Sequence, residues 1–143
     1  MADVSHIGGL IAGGALRNPM DYGFDVMTTT VHKSLRGPRA GMILCKEKYK
    51  KQIDKSVFPG LQGGPHMSTV AAIAVTLGKA LQPEFKQYAA QIVRNAKVLA
   101  QALMDGGAKL VTGGTDNHMM VVNTVTSFGI DGTEAEHLLD RVG

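Results

Sequence analysis

Apolar and β-branched side chains cluster in two short stretches near the start of the chain. FDVMTTT, residues 24–30, is rich in β-branched residues, and AGMILCK, residues 40–46, follows after a short connection. Both stretches have the composition and length of strands. The connecting SLRGPR predicts a turn that reverses the chain, so we expect the two strands to be antiparallel neighbours at one side of a mostly parallel sheet. Asp3 is expected at the carboxyl end of an earlier strand.

Helical patterns follow the second strand. Residues 47–57 predict a helix, and the nearly uncharged HMSTVAAIAVTLGKAL, residues 66–81, predicts a buried helix. Pro83 is placed to begin a third, amphipathic helix, which Gly106 and Gly107 end. Its apolar residues recur at spacings of three or four: Phe85, Tyr88, Ala89, Ile92, Ala96, Leu99 and Leu103.

Between these helices, FPGLQGGP at residues 58–65 holds three glycines and two prolines, which excludes a regular helix or strand and predicts a loop with unshielded backbone amides. Beyond Gly107 the elements become short. Residues 108–114 and 118–125 predict strands, and Thr133 with Glu136 fits the capping box of a last helix. We place a domain boundary near residue 83, which gives domains 1–82 and 83–143.

The composition favours an enzyme-like α/β domain. The 143 residues are 44% hydrophobic and include 18 glycines, enough for a real core with many tight turns. The net charge of +3 is scattered, so we do not expect a nucleic-acid partner. One cysteine, Cys45, forms no internal disulfide, and neither a signal peptide nor a membrane span is predicted, which makes the cytoplasm the expected location. The histidines and Cys45 lack the close spacing of a zinc site, so no metal is expected.

TTTVHKSLRGPRAG, residues 28–41, is the candidate site. A pyridoxal-phosphate enzyme needs a lysine to form an imine, a carboxylate for the pyridine nitrogen, and cations and amides for the phosphate. Lys33 follows a strand, with Thr30 and Arg39 nearby in sequence, and Asp3 could supply the carboxylate. The same residues also suit purely structural roles. Asp3 could be a cap or turn former, and the arginines could be solvated charges beside a turn.

A resemblance decides between these readings. DVSHIGGLIAGG, TTTVHKSLRGPRAGMI, VFPGLQGGPHM, PEFKQYAAQIVRNAKVLAQAL and GGTDNHMMVV occur in the order and spacing of serine hydroxymethyltransferase, and the resemblance covers essentially all 143 residues. It implies an α/β fold, namely a partial αβα sandwich of the fold type I pyridoxal-phosphate transferase large domain, followed by the start of the α+β small C-terminal domain. It also implies interconversion of serine plus tetrahydrofolate with glycine plus 5,10-methylenetetrahydrofolate.

The resemblance further implies a role for each site residue. Lys33 would carry pyridoxal 5'-phosphate in imine linkage, with Thr30 beside the imine. Asp3 would pair with the pyridine nitrogen. The remaining positions would be His6 against the cofactor ring and its hydroxyl, His32 near the phosphate, Arg39 in the charge balance, and Gly63 and Gly64 reaching a neighbouring subunit's phosphate. A homodimer or dimer of dimers is therefore expected, with no nucleic acid and no membrane.

Some departures from the family pattern limit these expectations. Val31 stands where many family members have a fourth threonine. The family's N-terminal region and its carboxylate-binding C-terminal arginine have no counterpart here, so we expect an internal fragment that is weak or inert alone. Two alternatives stay open: another fold type I enzyme, such as an aminotransferase or acyltransferase, and a non-catalytic piece that binds at most phosphate or a partner subunit.

Overall fold

A computed structural model describes residues 1–143, the entire chain. A three-stranded sheet forms its first part, in the order β1-β2-β3. β1 (Ala2–Asp3) lies parallel to β2 (Val26–Thr30), and β3 (Gly41–Cys45) lies antiparallel to β2. The register sets Thr28 opposite Asp3 on one side and Ile43 on the other. The predicted strands and their antiparallel pairing are confirmed, and the chain is a mixed α/β protein.

The alternation of β2 sorts its side chains between two faces. Met27 and Thr29 are buried on one face, while Thr28 and Thr30 lie half-buried on the other. Helix α1 (Gly8–Ala12) packs against the buried face, with Leu10 fully buried. A Cβ at Gly8 would collide with the Thr29 hydroxyl, so this contact requires glycine. The GG pair of the sequence therefore seats α1 directly on the sheet.

The chain after β3 is less regular than predicted. A 3₁₀ turn (Glu47–Tyr49) leads into α2 (Lys50–Lys55), and a wide turn (Ser56–Leu61) follows, in which Gln62 N donates to Val57 O over 2.8 Å. The single predicted helix 47–57 is thus corrected to a shorter one. The expectation of no helix-like turn in 58–65 is also wrong at its start, although Phe58 and Pro59 keep non-helical dihedrals.

Helix α3 (Met67–Ala80) forms where predicted, but the expectation that it is buried is wrong. Thr76 is its one buried residue, and Met67 and Val75 are 67% and 59% exposed. The absence of charged residues shows only that the helix is apolar. Burial also requires another segment of the protein to pack against each of its faces. Only the stripe near Thr76, which lies against Gly37, has one in this chain.

Helix α4 (Pro83–Asp105) begins at the predicted proline and is amphipathic as predicted. Its buried residues are Phe85, Ala89, Ala96 and Ala100. Leu99, predicted on this face, is 54% exposed, and Ala100 takes its place. Small side chains let the helix approach its neighbour closely: a Cβ at Gly13 would collide with that of Ala89. Which face of α4 is buried therefore depends on how closely the helix approaches its neighbour, and not on the size of its apolar side chains.

By packing, the chain divides into two compact units, 1–90 and 91–143, and α4 runs through both. The boundary predicted near residue 83 stays a prediction. None of the helices combines the length and hydropathy that crossing a membrane requires.

The second unit contains α5 (Thr124–Phe128) and α6 (Gly132–Asp140). The strands predicted at 108–114 and 118–125 are wrong, because the only pairing there is an isolated bridge between Leu110 and Val122. Asn123 caps α5 by accepting from Thr126 N over 3.0 Å, so the last two residues of the second predicted strand begin a helix instead. The last helix is confirmed, but Asp131, and not Thr133, is its N-cap, accepting from Glu134 N over 2.8 Å.

Candidate functional site

A carboxylate sits where β1 ends. Asp3 accepts two hydrogen bonds of 3.0 Å each: Oδ1 from the backbone N–H of Ser5, and Oδ2 from the hydroxyl of Thr28 on the neighbouring strand. The hydrogen bonds from Ser5 and then Thr28 lower the pKa of Asp3, and the positive charge of Lys33 acts in the same direction. The Asp3 side chain is therefore an anion, fixed at the end of the sheet.

A lysine and a histidine meet across the loops that follow β1 and β2. Nζ of Lys33 lies 3.1 Å from Nε2 of His6. Ser34 ties the same two loops together, since its Oγ donates to His6 O over 2.8 Å and accepts from Gly9 N over 2.9 Å. Lys33 and His6 are 27 positions apart in sequence, and the fold brings the amine of one into contact with a ring nitrogen of the other.

A cavity of about 1000 Å³ opens next to Asp3 in the first unit. Polar groups of the two parallel strands and their loops line one wall, among them Asp3, Ser5, Thr28 and Thr30. Arg39 supplies a cation. The remaining lining residues include Gly63 and Gly64 with His66 on one side, and the apolar Ile53, Val57, Val70 and Ile73 on another. The cavity therefore combines an anion, a cation and apolar surface.

The two glycines of this wall leave their backbone uncovered. No atom lies within 4 Å of the position a Cβ would take at Gly63 or Gly64, and both residues are exposed. Neither has a positive φ, so their open surroundings, and not an unusual backbone conformation, distinguish them. Their amide groups are accessible to an anionic ligand in the cavity.

The structure brings most of the predicted site residues into one region, but in two groups. Asp3, Thr30, Arg39, Gly63 and Gly64 line the cavity. Lys33 and His6 form their own pair and are not among the lining residues, and neither is His32.

His32 presents an unsatisfied polar atom. Its Nδ1 is buried and has no hydrogen-bond partner in the protein. A buried ring nitrogen without a partner is costly unless a ligand or water reaches it. This nitrogen is therefore a candidate contact for a water or ligand, although His32 is not among the residues that line the cavity.

Sequence reasoning missed the residues that hold the site together. Thr28 shares a strand face with Thr30, and that period-two relation is a signal that could have marked it as a partner of Asp3. Ser5 and Ser34 carry no such signal, because their partners come from a distant loop or through the backbone. No three His, Cys, Asp or Glu side chains lie together in a metal-binding arrangement.

These observations define a mixed α/β protein in which a lysine amine and an anionic carboxylate follow strand ends, and a separate loop presents open backbone amides. The family model of serine hydroxymethyltransferase matches residues 1–143, and the chain belongs to this family of pyridoxal-phosphate-dependent transferases. The resemblance found in the sequence motifs is confirmed over the whole chain.

Proposed function

We propose that this chain carries the lysine-bearing part of a serine hydroxymethyltransferase active site. The reaction is the interconversion of serine plus tetrahydrofolate with glycine plus 5,10-methylenetetrahydrofolate. One observation carries the proposal: the Lys33 amine is held 3.1 Å from His6, beside a carboxylate whose pKa is lowered and a cavity of about 1000 Å³. The family normally uses pyridoxal phosphate and tetrahydrofolate, and membership in the family supports both ligands.

The groups present fit pyridoxal phosphate. Lys33 supplies the amine, and Asp3 supplies an anion to pair with a protonated pyridine nitrogen. Arg39 and the open amides of Gly63 and Gly64 suit a phosphate, and the partnerless Nδ1 of His32 suits a nearby ligand atom. Bound pyridoxal phosphate supplies an electron sink for negative charge on the α-carbon of an amino acid.

The protein's own side chains control protonation and fix the orientation of the reacting groups at this site. Asp3 accepts from Ser5 and Thr28, so its carboxylate stays ionised and would favour a protonated pyridine nitrogen on a cofactor paired with it. The contact between the Lys33 amine and Nε2 of His6 would orient an amine that must act as a nucleophile. The Thr30 hydroxyl donates to Ser5 O over 3.0 Å, and this bond fixes the strand end beside the lysine.

We further propose a homodimer, or a dimer of dimers, in which Gly63 and Gly64 offer their amides to a partner's phosphate. The exposure of the whole segment 62–67 supports this proposal, since such a loop is free to contact a second copy. By itself, the chain is expected to turn over serine weakly or not at all, because the glycine wall of its cavity is open to solvent.

A second candidate is a chain that holds a phosphate-bearing ligand without reacting with it. One observation favours it: Lys33 is not among the residues that line the cavity. The two candidates differ in whether the amine becomes covalently attached.

Borohydride reduction tests both. The purified chain is mixed with pyridoxal phosphate, reduced, digested and mapped by mass spectrometry. We expect the pyridoxyl mass on Lys33, its loss in Lys33→Ala, and its retention in Lys79→Ala, which removes an exposed lysine of α3. Asp3→Asn should weaken cofactor binding roughly 10- to 150-fold, because a charge-assisted hydrogen bond is lost. Phosphate-competitive binding without any modification of Lys33 would support the second candidate.

A further inference from the structure

Arg36 has an unusual backbone conformation three residues after Lys33. Its φ is +62°, and it is the only residue other than glycine with a positive φ. This left-handed region is sterically costly for a side chain with a Cβ. The conformation closes a tight turn in which Arg36 N donates to Lys33 O over 2.9 Å. An arginine here must be held by contacts that offset the cost.

The Arg36 side chain supplies such contacts. Its Cζ lies 4.0 Å from the centroid of the Tyr88 ring and 5.6 Å from that of Phe85, both on α4. The two rings lie 5.6 Å apart, and Phe85 is 97% buried, so the half-buried Tyr88 packs beside a core residue of the first unit. A guanidinium over an aromatic face is attracted by the ring quadrupole. Arg36 is therefore a link between α4 and the turn that carries the lysine.

Other contacts fix the rest of this segment. Leu35 is buried, and Gly37 N donates to Val31 O over 2.8 Å. Ser34 joins His6 and Gly9 through its hydroxyl. The His6 side of the Lys33–His6 pair is thus anchored by Ser34, while the carbonyl of Lys33 is anchored by Arg36.

We propose that Arg36, stacked on Tyr88, is a positioning residue that holds the 33–36 turn and so keeps the Lys33 amine against His6. The inference rests on the proposed function for its catalytic meaning, because positioning matters only if Lys33 is the reacting amine. The positioning itself is a property of the cofactor-free chain and can be measured there.

The test uses hydrogen exchange of segment 31–37 by mass spectrometry and NMR of the ¹³C-dimethylated lysines, with Lys33 assigned from Lys33→Ala. Tyr88→Leu removes the aromatic face and keeps an apolar contact, whereas Tyr88→Phe keeps the ring. Arg36→Gly removes the guanidinium but suits the positive φ. Arg17 gives a control pair: its Cζ lies 5.9 Å from the Tyr22 ring centroid and its guanidinium donates to the Tyr22 hydroxyl over 2.8 Å, so Tyr22→Leu removes an arginine–ring contact away from the lysine.

We expect Tyr88→Leu and Arg36→Gly to raise exchange in 31–37 roughly fivefold and to shift the Lys33 resonance, as the loss of one cation–ring contact predicts. Tyr88→Phe and Tyr22→Leu should leave both readouts as in the parent chain. Unchanged exchange and resonance in Tyr88→Leu and Arg36→Gly would overturn the proposal. So would a lower melting temperature with both local readouts intact, since the contact would then be only structural.

Circular dichroism checks folding first. If Tyr88→Leu or Arg36→Gly does not fold, Arg36→Gln, which keeps the stem and removes the charge, replaces it with the same expected result. Borohydride mapping of the parent chain is then read separately. If no cofactor is attached to Lys33, the proposed function is wrong. The hydrogen-exchange result then decides by itself whether Arg36 positions the 33–36 turn.

Discussion

The two compact units contain segments of similar apolar, β-branched composition, but these segments form different secondary structure in each unit. In the first unit, 24–30 and 40–46 paired into a sheet, with five residue pairs in register. In the second, 108–114 and 118–125 have similar apolar, β-branched character but form only the bridge between Leu110 and Val122. A strand thus requires a partner along its length as well as a suitable composition. The first unit provides that partner, whereas in the second the pairing stops at one bridge and α5 begins at Thr124.

The units also differ in how tightly their residues are enclosed. The first contains fully buried Leu10 and Val31, and glycines whose Cβ would strike backbone or side chains. In the second, large apolar residues such as Val125, Phe128 and Leu139 are more than half exposed. Truncation of Leu10 or Val31 should therefore cost far more than truncation of these exposed residues of the second unit.

The largest contrast is expected for leucine truncation. Leu10→Ala should lower the free energy of unfolding by about 2–5 kcal/mol, because it leaves a cavity in a packed site. Leu139→Ala, at a leucine that is 68% exposed, should change it by less than about 1 kcal/mol. Urea denaturation followed by circular dichroism measures both. Equal losses would show that the second unit has a core as tight as the first.

A glycine comparison probes the same difference with a single methyl group. A Cβ at Gly9 would strike the carbonyl of Ser34, so Gly9→Ala should cost about 1–3 kcal/mol. Gly132 has no atom within 4 Å of the added carbon and begins α6, so Gly132→Ala should be neutral or stabilise by up to about 1 kcal/mol. Melting curves distinguish the two signs. Destabilisation by Gly132→Ala would mean that α6 packs more closely than its exposure indicates.

A capping comparison tests the second unit alone. Asp131→Ala removes the acceptor for Glu134 N and should destabilise α6 by about 0.5–2 kcal/mol. Thr133→Ala lies inside the helix and should have little effect or a slight stabilising one, because alanine has the higher helix propensity. Hydrogen exchange of residues 132–140 reports the helix locally. The reverse order of effects would restore Thr133 as the cap.

The smallest effect is expected from a surface ion pair of the first unit. Asp25 lies 3.1 Å from Lys46 Nζ and 3.3 Å from Lys48 Nζ, and hydrogen bonds from these lysines lower the pKa of Asp25. Because the folded pKa is below the unfolded one, the stabilisation is present above the unfolded pKa and is lost as the pH falls through the folded value. Asp25→Asn should therefore be less stable than the parent at neutral pH.

The stability difference between Asp25→Asn and the parent should shrink on acidification and disappear below the folded pKa. Added salt should also reduce it, because the pair is solvent-accessible. Asp54→Asn, at an exposed aspartate outside any ion pair, serves as the control for lost negative charge. A stability difference that does not change with pH would show that the effect of Asp25→Asn does not come from the ion pair.

The residues of the site were predictable to different degrees. Lys33, Asp3, Thr30 and Arg39 could be named because they stand at strand ends or beside a turn in a distinctive motif, and the structure places them in one region. The assignment of their roles stays a prediction. For Arg36 the sequence leaves a solvated charge open as one role, since nothing in its local sequence shows that Tyr88, 52 positions later, lies under its guanidinium.

By itself the sequence determined the mixed α/β class, the antiparallel pair at 24–30 and 40–46, the start of α4 at Pro83 and the family, because each depends on local composition or on a contiguous motif. Only the tertiary structure decided which faces are buried. Ala100 replaced Leu99, α3 stayed largely exposed, and the segments predicted as strands at 108–114 and 118–125 formed only one bridge. The physical reason is that burial and strand pairing are relations between distant segments, and their free energy depends on what lies opposite each side chain.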